Sequence, residues 1–369
     1  SKLRYILELT ILLFIDLSLG QMKTSNQIDK PQEVRTGEAL DWTSLEKYLR
    51  DNIEDIDGDM AIMQFHGGHA NLTYLVKFGD RELIVRRPPF GKIAPGAHDM
   101  KREYKVLSKL TAYFSPAPQA YHLCEDDSVI GSMFVVMERR TGVVVRTKVL
   151  DCFLNFDNVE ERLTAALIQA EADLHKVDYK KAGLEKLGRP EGFLERQLEG
   201  WGQRWHLSKT SENKGMDEVL RRLQSDIPTS QAATIVHNDI KLDNCQFQSD
   251  NPDKVTSMFD WDMCTLGDPL IDFGTTLSYW PEPFFAGVEM PIMLYGDFPN
   301  KEFLIDKYAS LTGFDLQRIK WYEAFAYWKG AVIGQQLYER YLKGASTDDR
   351  MKKFEKAPSL FTDYALSIL

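Results

Sequence analysis

Three side chains in VHNDIKLDNCQFQSDNPDKVTSMFD, Val236 to Asp260, have types and spacing that suit one metal–phosphate site: Asp239, Asn244 and Asp260. The apolar run Thr234-Ile235-Val236 reads as a short buried strand ending in a polar loop. Two strand-like segments follow, Cys245–Gln248 and Val255–Phe259, separated by the turn-forming residues SDNPD. Paired as a hairpin, they bring Asn244 at the start of one strand to face Asp260 at the end of the other. An amide oxygen and a carboxylate there are hard oxygen ligands suited to Mg²⁺. Asp239, five residues before Asn244, is then placed to orient or deprotonate a hydroxyl. One carboxylate for the nucleophile, with an Asn and an Asp for metal, is the division of labour that phosphoryl transfer uses.

HNDIKLDN followed by FDWDMCTLGDPLIDFG resembles the aminoglycoside phosphotransferase and choline kinase superfamily, in particular the kinase-like domains joined to acyl-CoA dehydrogenases. The family pattern is a His-x-Asp loop with Asn five residues after the Asp, then an Asp-Trp-Glu/Asp metal element. Here Asn238 stands where relatives often carry Gly, and the metal element reads Asp260-Trp261-Asp262. His-x-Asp alone is weak; the combination at this spacing is specific. The resemblance covers most of residues 41–345 and is strongest over 236–274. It implies an α+β, two-lobed protein-kinase-like fold, with a small β-rich N-lobe and a larger, mainly helical C-lobe. It also implies ATP and Mg²⁺ as cofactors, and a small-molecule hydroxyl acceptor.

On the nucleotide side, FHGGHANLTYLV lies between two candidate strands. Gly67 and Gly68 let backbone N–H groups approach phosphates, with Asn71 as a side-chain donor. His69 falls where several relatives carry a polar residue. The third-strand cation that kinases use for the α- and β-phosphates falls on Arg86 in ELIVRRPPFG, where many relatives have Lys. Arg can hold phosphate in a fork. Arg87, on the opposite side of the strand, is expected to face solvent. Fold order makes Glu103 the partner of Arg86 and places the hinge at Met137-Glu138.

On the acceptor side, Asp239 is the expected catalytic base. His237 is expected to hold the loop; Lys241 either reaches the γ-phosphate or is solvated. Asp268 before Pro269 reads as a helix N-cap. Asp272 reads as a brace for the catalytic loop, and His175 as a packed helix histidine. Two aromatic-basic segments, Glu199–Lys209 and Trp321–Gly344, supply candidate acceptor residues: Trp205, Tyr327, Trp328, Lys329 and Arg340. Their basic members point to an anionic alcohol such as a hydroxyacyl-CoA.

The elements that must position these residues are legible as patterns. A short helix capped by Asp41 precedes strands at Ala61–Phe65, Leu72–Phe78 and Glu82–Arg87, with a Gly79-Asp80 turn between the last two. A helix over His98–Phe114 and a strand over Met133–Met137 follow. Helical spacing then covers 160–177, 190–208, 268–280, 301–311 and 315–342. The expected division is an extension over 1–40, a nucleotide-binding lobe over 41–138, and a catalytic and substrate lobe over 139–369. Ser1–Gly20 is apolar but interrupted by Glu8 and Asp16, and reads as a gene-model or expression extension, not a targeting signal.

The chain has 369 residues, 43% of them apolar, and a formal net charge of −10, which argues against nucleic-acid binding through a basic face. The four cysteines show no C-x-x-C spacing and suit a reducing, cytoplasmic setting. No run beyond the N-terminus is apolar enough to expect a membrane partner. Two rivals differ in class. One is a non-catalytic kinase-like module binding a nucleotide or acyl ligand, which Arg86 favours slightly. The other is a protein kinase, for which Asp272-Phe273-Gly274 imitates one element, but inside a helical pattern.

Overall fold

The computed structural model describes residues 30–66, 71–90, 99–146, 148–285, 296–344 and 349–369. Gly67, Gly68, His69 and the extension up to residue 29 lie outside the described residues. The chain forms two compact units. One reaches to Met100 and takes in Ala120–Arg140; the other comprises Lys101–Gln119 with Thr141–Leu369.

In the first unit, helix α1 (Trp42–Asn52) is capped by Asp41, whose carboxylate accepts the Ser44 N–H at 3.0 Å. Strands β1 (Met60–Phe65), β2 (Leu72–Phe78), β3 (Arg81–Arg87), β4 (Ala120–Cys124) and β5 (Phe134–Glu138) form an antiparallel sheet in the order β1-β2-β3-β5-β4. Gly79, at φ 53°, closes the β2–β3 turn. β4, which carries no long apolar run, is not expected from the sequence. Alternate residues of β2 and β3, Tyr74, Val76, Phe78, Leu83 and Val85, pack with Leu45 and Leu49 of α1.

That same alternation places Arg87 on the packed face, which corrects the expectation that it faces solvent. Its side chain is buried, donates from Nη1 to the Ile130 carbonyl at 2.8 Å, and lies 4.2 Å over the Phe90 ring. The face opposite Arg86 is covered by α1 and the segment around Ile130. A guanidinium can enter it because carbonyl oxygens accept its N–H groups.

The second unit is mainly helical: α2 (Met100–Leu110), α3 (Val159–His175), α4 (Phe193–Ser208), α5 (Lys214–Ser225), α6 (Pro269–Ser278), α7 (Lys301–Thr312), α8 (Ile319–Leu342) and α9 (Ala357–Ile368). α5 and α9 are not expected from the sequence. Two short antiparallel pairs interrupt the helices: β6 (Thr234–Val236) with β9 (Thr265–Gly267), and β7 (Cys245–Gln248) with β8 (Asn251–Met258). α6 lies tight against α8. A Cβ on Gly274 would stand 2.7 Å from the Tyr322 carbonyl carbon, so this contact requires glycine. Asp272-Phe273-Gly274 is thus interior helix. No helix among the described residues is long and apolar enough to cross a membrane.

Candidate active site

The loop between β6 and β7 carries Asp239, and its shape follows from its neighbours. Asn238 adopts a left-handed conformation, φ 74°, which Asn tolerates better than most residues. Its Nδ2 donates to the Met263 carbonyl at 2.9 Å. The backbone N–H groups of His237 and Asn238 both donate to the buried carboxylate of Asp272 on α6. The oxygen that accepts the His237 N–H, Oδ2, also meets His175 Nε2 at 3.2 Å, and His175 Nδ1 meets the Tyr308 hydroxyl at 2.7 Å. His237 packs 4.6 Å from the Trp261 ring, and its Nε2 lies 2.8 Å from the Phe259 carbonyl oxygen. These contacts fit the structural roles expected for His175, His237 and Asp272. Asp268 caps α6, accepting the Leu270 N–H at 2.9 Å.

Asp239 is partly buried, and each of its carboxylate oxygens accepts a hydrogen bond. Oδ2 takes Asn244 Nδ2 at 2.8 Å and Lys241 Nζ at 3.0 Å; Oδ1 takes the Tyr279 hydroxyl at 2.5 Å. Asn244 Nδ2 also reaches the Asp239 carbonyl at 2.9 Å. The hairpin register pairs Cys245 with Met258, and the Phe259 N–H donates to the Asn244 carbonyl at 2.9 Å. Asp260 follows directly, in a left-handed conformation with φ 71° that turns the chain into Trp261–Met263. Asn244 and Asp260 therefore emerge from the same end of the hairpin as Asp239.

The electrostatics tie the group together. Burial pulls the Lys241 ammonium down, but the carboxylates of Asp239, Asp243 and Asp260 outweigh it and hold its pKa above the usual lysine range. Burial, then the adjacent Asp239 charge, pushes the Tyr279 phenol well above its ordinary value. Lys329 is the opposite case. Burial pulls its pKa down, and its ammonium has one long hydrogen bond among the described residues, 3.4 Å to the Asn238 carbonyl.

Asp239, Lys241, Tyr279 and Lys329 line a cavity of about 360 Å³ within this unit. Most of its wall is apolar: Trp280, Phe285, Tyr327, Ile333, Leu337 and Phe361. Tyr327 and Lys329 were expected at such a pocket and are there. Trp205 and Trp328 are not: each is buried in the helical core, with its indole N–H on Asp217 and on the Met216 carbonyl respectively. Arg340 is exposed near the end of α8 and does not line the cavity. Tyr279 was missed. Its one sequence signal is its spacing, seven residues after Asp272 on the same helix face.

The remaining expected residues lie as follows. Arg86 is partly buried on β3, opposite Thr73 and Val135. Asn71 is buried, and its amide has no hydrogen-bond partner among the described residues. Met137 is buried on β5, and Glu138 accepts Arg140 Nε at 2.9 Å. Glu103 is buried on α2. Among the described residues no cluster of three or more His, Cys, Asp or Glu could hold a metal ion unaided.

Comparison with known proteins agrees with this architecture. Acyl-CoA dehydrogenase family member 10 of Mus musculus is 29% identical over 97% of this chain, which spans 34% of that protein. A structure from Ralstonia eutropha, described as a candidate aminoglycoside phosphotransferase, superposes with TM-score 0.73 at 27% identity, covering 89% of this chain and 99% of that one. The aminoglycoside phosphotransferase APH(4)-Ia, solved as a ternary complex with AMP-PNP and hygromycin B, superposes at 0.58 with 14% identity, over 88% of this chain and 98% of its own. These neighbours share the kinase-like fold of a small antiparallel sheet followed by a mainly helical region. Residues 61–304 match the phosphotransferase enzyme family (APH), and the chain belongs to that family.

Proposed function

We propose that this chain transfers the γ-phosphoryl group of ATP to the hydroxyl of a small molecule. Asp239 orients the hydroxyl and takes its proton late in the transfer. The observation that carries this reading is the placement of Asp239 on the wall of an apolar cavity, hydrogen-bonded to Asn244 and Lys241. An incoming alcohol would meet that carboxylate beside a mainly apolar wall.

Asn244 and Asp260 would hold Mg²⁺. The donor set fits: Asn244 spends its Nδ2 hydrogens on Asp239, leaving its amide oxygen for a cation. One carboxylate and one amide oxygen suffice for an ion that takes the rest of its shell from water and phosphate oxygens. When bound, the metal would neutralise charge on the phosphates. In the first unit, Arg86, Asn71 and the Met137-Glu138 backbone are proposed for the nucleotide. The AMP-PNP held by APH(4)-Ia supports an ATP-type donor.

The cavity bears on the acceptor. Its aromatic and aliphatic wall suits a hydrocarbon body better than a polycation. Lys329, buried with little to satisfy its ammonium, suits an acyl or carboxylate oxygen. A hydroxyacyl compound combines these features. Calorimetric titration of ATP, with and without Mg²⁺, tests the donor half on wild type and Asp260→Asn. Magnesium-dependent binding that weakens in the variant is expected. No nucleotide binding in either protein would move the weight to a non-catalytic ligand-binding module.

A further inference from the structure

α6 touches the catalytic loop along one face, at positions spaced four and three residues apart. Asp272 takes the N–H groups of His237 and Asn238; Thr276 Oγ1 donates to the Ile240 carbonyl at 3.2 Å; Tyr279, at the helix end, donates to Oδ1 of Asp239 at 2.5 Å. Four consecutive loop residues, 237–240, are thereby held by a single helix. Only the last of these contacts reaches the reacting carboxylate.

We propose that Tyr279 is a positioning residue for phosphoryl transfer, fixing the Asp239 carboxylate in the rotamer that presents Oδ1 to the acceptor hydroxyl. The proposal rests on the reading of Asp239 given above. A carboxylate has two oxygens and a free rotation between them. Here Lys241 and Asn244 anchor Oδ2, and the Tyr279 hydroxyl holds Oδ1. Each carboxylate oxygen has two lone pairs. With one of Oδ1's taken by Tyr279, an alcohol entering the cavity has a single direction from which to donate. Tyr279 also lines that cavity, and Lys241 Nζ sits 5.1 Å from its ring centroid. The phenol stays a donor because burial and the neighbouring charge keep it protonated.

The test is Tyr279→Phe, which keeps the ring and removes only the hydroxyl. Two readouts apply. The first is a crystal structure of the variant, in which the Asp239 carboxylate should rotate or split between conformers. The second is ADP release from Mg-ATP, with water as acceptor, in a cycle with Asp239→Asn. Turnover should fall about 10- to 100-fold at unchanged ATP affinity, and the double variant should be no slower than Asp239→Asn alone, because residues that act as a unit are non-additive. Incorporating 3-fluorotyrosine at 279 restores the donor and should restore both. An unmoved carboxylate in Tyr279→Phe overturns the proposal, as do losses that simply multiply in the double variant. A carboxylate that moves in a protein releasing no ADP would retain this positioning and sink the phosphotransfer reading instead.

Discussion

The Asp272 carboxylate lies 3.2 Å from His175 Nε2, with both side chains fully buried, while its oxygens also accept the backbone N–H groups of His237 and Asn238. Asp272→Ala would leave two buried N–H groups without acceptors. At ~1–3 kcal/mol each, the variant should lose about 3 kcal/mol or more in urea unfolding. An unchanged midpoint would mean that the loop rearranges freely.

A second buried network lies beside the cavity. Lys301 Nζ contacts Glu323 Oε1 at 2.6 Å and Glu282 Oε2 at 2.9 Å, and the Tyr364 hydroxyl donates to Glu282 at 2.6 Å. Lys301→Met removes the cation the two carboxylates share, leaving Glu323 with Lys320 at 2.9 Å and Glu282 with the Tyr364 hydroxyl. Breaking one partner of a buried ionic group typically costs about 3–5 kcal/mol. Thermal unfolding should show a drop of many degrees, rescued in part by adding Glu323→Gln.

Glu171 gives a pH signature. Burial, then the Asp272 charge, raises its pKa well above the ordinary value, and the Thr276 hydroxyl only partly offsets them. Between the unfolded and folded pKa values the native state holds a proton that the unfolded chain has released. Stability contributed by this group therefore falls as pH rises from the ordinary glutamate range toward the raised value. Glu171→Gln, neutral throughout, should flatten that decline and be the more stable protein at neutral pH. Parallel stability-against-pH curves for the two proteins across about pH 5–8, where stability maxima usually lie, would contradict the assignment.

Much of this site was legible because its logic is local. Asp239, Asn244 and Asp260 sit on a loop and a hairpin whose turn chemistry and strand alternation are written in consecutive residues. Asp272 and Asp268 were legible for the same reason: both open a helix that begins at Pro269. Trp205 and Trp328 misled because aromatic spacing on a helix reports burial, not which neighbour is met. Arg87 misled because strand alternation gives opposite faces without saying which one is covered. The bond from Tyr279 to Asp239 joins residues 40 positions apart through helix packing, and no local pattern encodes it.

The cavity predicts substrate effects separable from stability. Gly330 lines it, and a Cβ there would meet Phe361 at an ordinary 3.5 Å. Gly330→Val should be tolerated, adding bulk to the cavity. It should raise the KM for an apolar-bodied alcohol about tenfold, a ~1.4 kcal/mol effect, while leaving ATP affinity alone. An equal loss of ATP binding would show that the cavity does not serve the acceptor.

The most direct test is single-turnover phosphoryl transfer from Mg-ATP to a panel of hydroxyacyl thioesters, followed by ³¹P NMR, for wild type and Asp239→Asn. The account predicts a phosphate ester from wild type, and a rate at least about 100-fold lower in the variant, as expected when a positioned acid–base group is lost, with ATP still bound. An Asp239→Asn protein that transfers phosphate at the wild-type rate would contradict it.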